Sequence, residues 1–540
     1  MKGLLPLKIS LKTGLALRLA VMYWIGGGTL FVLLALWLAW CSSGFEHLQG
    51  WVSNLMFLLV GALLLLAGWH ALRCDGSLSM PRWLGWALLI AVLLRLLAGV
   101  FWTIALPRWG YGSLAEQAGY VMADAFVRDT GAWELARSHQ PLWRAFVDYR
   151  MADQYGGLLF LSAWLYRYLG GAVHQPLQMV VLAASFSSLA VIFGWAFAQR
   201  AWGQEVAKVT AWLLVFYPEA VLLGSSQMRE AFLMSLAMMA FYGLLRYAQE
   251  RSWIGLMWML GALVLGMPLS PAVTVLLLGA LVLMAAFLGG RRALGQPRLW
   301  VGLAVMALLA LTAVWLAWGR IAPAGVSNPL MLIGWWLKET AKWQAHLTER
   351  ASGWFQKLFR NTPSWSHLWI LLGYGVMQPF LPAALIADGA PIWRGIAIWR
   401  ALGWTVWLPF LLYAPWRALQ KKERNALLVA LCCIVWAVIV IASLRSGGDQ
   451  WDNPRYRVVF VGLQAALVAW VWVGRQGWKD LLLQRVVVTV GLMLLWFLPW
   501  YLRRYTSFAW EVVDLFKTLG LGLASAILYW MWDWARRESP

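Results

Sequence analysis

Sixteen apolar runs govern what this chain can become, at 17–41, 51–72, 83–106, 155–170, 176–199, 206–223, 228–248, 253–269, 271–289, 299–319, 366–387, 396–416, 426–443, 456–474, 483–502 and 508–535. Most come close to the ~20 residues an α-helix needs to cross the hydrocarbon core of a bilayer. Composition agrees, since 62% of the 540 residues are hydrophobic and 12% are charged, whereas a soluble domain carries about 25% charged residues. A water-soluble globule is excluded, and the runs predict an all-α polytopic membrane protein.

Basic clusters set the expected topology, because loops on the cytoplasmic side collect Lys and Arg. Arg73 with Arg82, Arg200 with Lys208, Arg246 with Arg251, Arg291 to Arg298, Arg417 to Arg424, Arg475 to Arg485 and Arg536 with Arg537 mark that side. Even numbers of runs separate neighbouring clusters except between Arg82 and Arg200 and between Arg298 and Arg417, where three intervene. One run in each place therefore fails to cross. The candidates are 155–170, short and interrupted by Arg167, and 366–387, which holds Pro379 and Pro382. About fourteen crossings remain, with two partly inserted segments and both termini cytoplasmic. The long loops 107–154 and 320–365 then share the extracytoplasmic face.

Four parts follow from this reading. They are an accessory hairpin at 1–82, a core at 83–319 that includes loop 107–154, a second outer region at 320–395, and C-terminal helices at 396–540. Lys2, Lys8, Lys12 and Arg18 precede the first run, which is too long for a signal-peptide core and is expected to stay as a helix.

The excess of 44 Lys and Arg over 23 Asp and Glu, a net charge of +21, reflects topology and anionic lipid headgroups rather than nucleic acid. The 42 Trp residues suit the headgroup layer. Cys41, Cys74, Cys432 and Cys433 show no disulfide framework, and the six His no zinc-type spacing.

The first outer loop is the most acidic part of the chain. On a helix Asp124 pairs with Arg128, Glu134 with Arg137, Arg144 with Asp148 and Arg150 with Asp153, all at i,i+3 or i,i+4. Asp129 has no such partner, because Ala125, Phe126, Ala132 and Trp133 surround it at that spacing. A carboxylate without a local partner either sits in water or works in a cavity.

The second outer loop is basic. Lys338, Lys342 and His346 recur at i,i+4 among Trp335, Trp336 and Trp343, the pattern of an interfacial helix whose cations meet lipid phosphates. Two further stretches place polar groups at the same face. YPEAVLLGSSQMREAF carries Glu219, Ser225, Ser226, Arg229 and Glu230, and SLRSGGDQWDNPRYR carries Asp449, Asp452, Arg455 and Arg457. Outer-face arginines run against the positive-inside rule and call for a partner, either a phosphate or a structural acid such as Asp452 for Arg455.

The order of these motifs resembles the GT-C superfamily of polyprenyl-phosphate-sugar glycosyltransferases, which includes protein O-mannosyltransferases and aminoarabinose transferases. The resemblance rests on the first core helix at 83–106, Asp129 to Trp133 in DTGAW, DQYGGLLFLSAWLYRYLGG, QRAWG, FYPEAVLLGSSQMREAF and NPRYR. Two departures stand out: Asp129-Thr130 replaces an acidic pair, and Gln154-Tyr155-Gly156-Gly157 replaces PPLY.

The resemblance implies transfer of a sugar from a polyprenyl-phosphate donor to an acceptor hydroxyl of a protein, lipid or glycan, with inversion, in a bacterial plasma membrane. It implies Asp129 as general base, with Asp153 and Asp124 in reserve. Arg229, Arg455 and Arg457, then Lys338 and Lys342, would bind the donor phosphate, and Tyr155, Glu219, Ser226 and Glu230 would bind substrate. Some relatives use Mg or Mn, and no ligand cluster here decides the matter. A catalytically inactive GT-C-like subunit and a transporter or flippase of lipid-linked substrate are the competing classes.

Overall fold

The computed structural model describes residues 28–42, 50–76, 78–294, 358, 360–420, 425–446, 449–474, 480–512 and 514–538, with scattered positions between 301 and 335. It is an all-helical polytopic membrane protein. Among the described residues ten helices are long and apolar enough to cross a bilayer, or eleven if one bent pair is a single span.

The order is α1 (Gly28–Ser42), α2 (Trp51–Arg73), α3 (Arg82–Trp109), α4 (Leu114–Gln117), α5 (Ala123–Arg137), α6 (Gly157–Leu169), α7 (Leu177–Trp202), α8 (Gln204–Phe216), α9 (Pro218–Gly224), α10 (Arg229–Glu250), α11 (Trp253–Leu269) and α12 (Pro271–Leu294). After the second long loop come α13 (Ser364–Met377), α14 (Leu381–Ile386), α15 (Pro391–Leu419), α16 (Ala426–Ser446), α17 (Asp452–Arg457), α18 (Val461–Gly474), α19 (Leu481–Tyr505) and α20 (Leu515–Glu538).

Helices α7 and α10 form the centre, each with 94% of its apolar window buried. Lipid tails are as apolar as the side chains, so close approach rather than hydrophobicity holds such helices together. Small residues supply it. Ser235 of α10 donates to the Phe186 carbonyl of α7 at 2.6 Å. Between α10 and α11, a Cβ on Gly243 would lie 2.5 Å from the Gly255 carbonyl oxygen, and one on Gly255 would lie 2.7 Å from that of Gly243. Helices α19 and α20 lie at the rim, with only 11% and 17% of their windows buried.

The difference from about fourteen expected crossings has local causes. Run 299–319 falls almost wholly outside the described residues, while α11 has 17 residues and α1 is shorter still. The two runs expected not to cross, 155–170 and 366–387, are interrupted as well, and run 155–170 is the 13-residue α6. Run 366–387 divides into α13 and α14 at Gln378-Pro379-Phe380, and run 206–223 into α8 and α9 at Tyr217-Pro218, where the axis bends by 55°.

Each break leaves a carbonyl without its helical partner, because proline has no N–H. Leu214 would bond to residue 218, which is a proline; Arg95 of α3 donates to that carbonyl instead at 3.1 Å. The Gly375 carbonyl would bond to residue 379, again a proline; it accepts instead from Gln378 N at 3.2 Å and from Asn453 Nδ2 at 2.8 Å. The Val376 carbonyl loses its partner differently, because Phe380 N–H turns to the Gln378 side chain at 3.3 Å, and Trp404 Nε1 donates to that carbonyl at 2.9 Å. The deep charge of Arg95 is thus a repair of a broken helix, as backbone at membrane depth requires.

Candidate functional site

The polar centre assembles where the first long loop meets the starts of α10 and α17. Three acids meet Arg455 there, two of them expected site residues from distant segments: its Nε donates to Glu230 at 2.7 Å, its Nη1 to Asp124 at 3.0 Å, and Asp452 of its own helix lies 3.6 Å away. Arg455 is therefore matched by three acids. The ordinary pairing with Asp452 forms, but as one contact among three.

Beside it stands a second group with the opposite balance. Asp153 is buried, its Oδ1 lying 3.7 Å from Arg128 Nε and 3.9 Å from Arg229 Nη1. Both separations exceed hydrogen-bond reach, and both nitrogens are buried without a hydrogen-bond partner in the protein. Two guanidiniums thus flank Asp153, and the charges of Glu230 and Asp124 also reach Arg128. Burial, only partly offset by the Asp153 charge and worsened by Arg229, holds the Arg128 guanidinium below its ordinary value. Tyr155 packs its ring under Arg229, 5.0 Å from the guanidinium carbon.

The local sequence explains how Asp153 is held. Its Oδ2 accepts from Leu159 N at 3.1 Å, anchoring the first turn of α6. That turn requires Gly156 and Gly157. Gly156 has φ +77°, and a Cβ on Gly157 would stand 2.1 Å from the Pro268 carbonyl oxygen.

Asp129 lies one position after Arg128 on α5 and so points about 100° away. It is 1% exposed and accepts three hydrogen bonds, from Tyr120 Oη at 2.6 Å, Tyr166 Oη at 2.7 Å and His174 Nε2 at 2.9 Å. His174 stacks on Trp133, with ring centroids 5.1 Å apart. Burial, then the Asp129 charge and hydrogen bond, push the Tyr120 phenol well above its ordinary value, so it stays a donor.

Three of the four short-range ion pairs expected on the first loop are replaced by other contacts. Arg144–Asp148 forms at 3.2 Å, but Asp124 turns to Arg455, Asp153 to Arg128 and Arg229, and Arg137 to the Ala172 carbonyl and the face of Trp133. An i,i+4 pair between exposed side chains is worth only about 0.3–0.5 kcal/mol, so contacts made by the fold readily replace it.

Other expected residues lie apart from this centre. Glu219 forms a buried two-point pair with Arg400, at 2.6 and 3.0 Å. Arg457 is buried under Trp404, 3.4 Å from the ring centroid, and donates to the Gln378 carbonyl at 2.5 Å. Ser226 donates to the Leu223 carbonyl at 3.0 Å. Lys338 and Lys342 lie outside the described residues.

Sequence reasoning missed Arg128, assigned to Asp124, together with His174 and Arg400. Arg400 carried a signal, as a lone charge inside an apolar run. His174 carried none, since 45 residues separate it from Asp129. Among the described residues no three His, Cys, Asp or Glu side chains are placed to hold a metal ion. The carboxylates of the centre are each directed at guanidiniums, an arrangement that does not fit Mg or Mn.

No known family model matches the chain, and no curated protein does. Among solved structures it is similar to the archaeal oligosaccharyltransferase AglB from Archaeoglobus fulgidus, determined with an inhibitory peptide and a dolichol-phosphate, with TM-score 0.39 and 16% identity. The alignment covers 83% of this chain and 54% of AglB, so the chain spans about half the length of that protein.

Proposed function

We propose that this protein is a glycosyltransferase that moves a sugar from a polyprenyl-phosphate donor to an acceptor hydroxyl at the extracytoplasmic membrane face. The observation that carries the reading is a pair of guanidinium nitrogens, Arg128 Nε and Arg229 Nη1, that are buried without a hydrogen-bond partner and lie 3.7 and 3.9 Å from Asp153. A phosphate oxygen supplies the acceptor these groups lack, in a site largely shielded from water. The motif order through DTGAW, the Arg229 segment and NPRYR supports the same chemistry.

The acceptor oxygen attacks the anomeric carbon while the bond from that carbon to the phosphate oxygen breaks. Its electron pair stays on the phosphate, and the resulting charge meets Arg128 and Arg229, already aimed and desolvated. The acceptor proton needs a carboxylate within reach. Asp124 meets that need best: its side chain is 56% exposed while it touches Arg455, whereas those of Asp129 and Asp153 are 1% and 0% exposed. In this reading Asp129, the first choice from sequence, holds the loop together and Asp153 orients the two arginines.

The test uses purified protein in nanodiscs with a radiolabelled polyprenyl-phosphate hexose, following release of polyprenyl phosphate. Arg229→Gln should lower the rate by about 10²–10³, and Asp124→Asn should lower it with the donor still bound. Turnover unchanged in Arg229→Gln would overturn the phosphate assignment. Turnover unchanged in Asp124→Asn but abolished in Asp129→Asn, with the fold intact, would restore Asp129 as the base.

The transporter reading draws on the broken helices α8–α9 and α13–α14, a feature of transporter binding sites. Here Arg95, Asn453 and Trp404 already occupy the freed carbonyls, which favours the transferase.

A further inference from the structure

A cleft of about 380 Å3 opens between the segment that follows α3 and the start of α15, within the range of small-ligand sites, ~300–1,000 Å3. Its wall is aromatic. The rings of Tyr111 and Trp393 are nearly parallel, 10° apart in tilt with centroids 6.5 Å apart, and Trp451 stands edge-on to Trp393 at 5.0 Å and 87°. Tyr111 is 65% exposed, so part of its ring is open to the cleft.

Polar groups ring these aromatic side chains. Glu116 is buried, and it receives Trp393 Nε1 at 2.5 Å, Ser113 N at 2.8 Å and Ser113 Oγ at 2.9 Å. Burial works to raise its carboxyl, but these hydrogen bonds outweigh it and hold the group below the usual carboxylate range, so Glu116 is charged. It locks the indole in place. Asp388 and Gln450 are exposed at the opening, and Arg394 lines it from α15.

An aromatic face beside carboxylate, amide and guanidinium groups matches one ligand chemistry closely. The C–H groups on one side of a pyranose ring carry partial positive charge and rest on the electron-rich face of an aromatic ring. Its hydroxyls meanwhile donate to carboxylates and accept from amide and guanidinium N–H groups. An extended peptide would instead need backbone pairing, and a lipid tail would leave Asp388 and Arg394 idle.

The cleft also lies beside the proposed transfer centre. Ala123 on its wall precedes Asp124, and Trp451 precedes Asp452; both acids touch Arg455. We propose that this cleft is a saccharide subsite for the acceptor, so the hydroxyl that attacks belongs to a sugar. This assignment rests on the transferase reading for its role but not for its occupancy.

The experiment is saturation-transfer NMR on the full chain in nanodiscs, free of glycoside detergents, with methyl glycosides of glucose, galactose, mannose and N-acetylglucosamine as probes. At least one glycoside should receive saturation on its ring C–H protons, and Tyr111→Ala should weaken its binding at least tenfold. Tyr111 is mostly exposed, so that variant tests the site with little risk to folding; Trp393→Phe, which keeps a ring but loses the bond to Glu116, should weaken binding less. Absence of saturation for every glycoside, or binding unchanged in Tyr111→Ala, would overturn the assignment. Saccharide binding without sugar transfer would sink the transferase reading alone, and transfer without saccharide binding would sink the cleft alone.

Discussion

The two sides of α5 treat a buried carboxylate in opposite ways. Asp129 has three donors at hydrogen-bond distance, all from side chains that the fold brings to it. One residue earlier, Arg128 reaches toward Asp153 at 3.7 Å and leaves its Nε without a hydrogen bond, as Arg229 leaves its Nη1. A closed network gains nothing from a ligand and rigidifies what surrounds it. An incompletely bonded guanidinium keeps donors for a further acceptor, so the same helix carries a closed knot on one side and, in the proposed reading, the Arg128 half of a phosphate site on the other.

Breaking the knot should have the largest effect on stability. Asp129→Ala leaves Tyr120, Tyr166 and His174 without their shared acceptor, and should cost about 3–5 kcal/mol, read by chemical unfolding in detergent. A loss below 1 kcal/mol would mean that water or a rearranged loop replaces the carboxylate, and the contrast between the two sides would fall. Removing one strand of the knot is a finer probe. Tyr120→Phe deletes a single hydrogen bond and should cost about 1 kcal/mol, with sugar transfer retained.

On the open side the stability effect should be smallest. Arg229→Gln gives up a 3.9 Å ion contact and no hydrogen bond from its buried Nη1, so unfolding should shift by less than about 1 kcal/mol while transfer collapses. A large loss of stability in that variant would make the arginine a second knot, and the phosphate reading would lose its physical basis.

How much of this was readable from the sequence follows from the range of each interaction. The polar segments were visible because charges in a chain this apolar are few, and Asp124, Asp153, Tyr155, Arg229, Glu230 and Arg455 were all singled out from spacing and motif order. Their pairings were not visible. Arg455 meets Glu230 across 225 positions and Asp124 across 331. The spacing of Asp124 and Arg128 suggested a partner that burial elsewhere overruled. Asp129 looked free for the same reason, since nothing within a helical turn announced Tyr166 or His174.

Helices and their breaks belong to the chain itself. An α-helix closes its hydrogen bonds four residues apart, a bilayer admits no unpaired backbone, and Pro218 and Pro379 remove particular N–H groups; runs and prolines therefore set where helices form and where they stop. Tertiary structure alone decided which side chains repair those stops and which carboxylates are closed or left open. Such choices depend on groups hundreds of residues apart competing for a few desolvated positions, and local pattern carries no record of that competition.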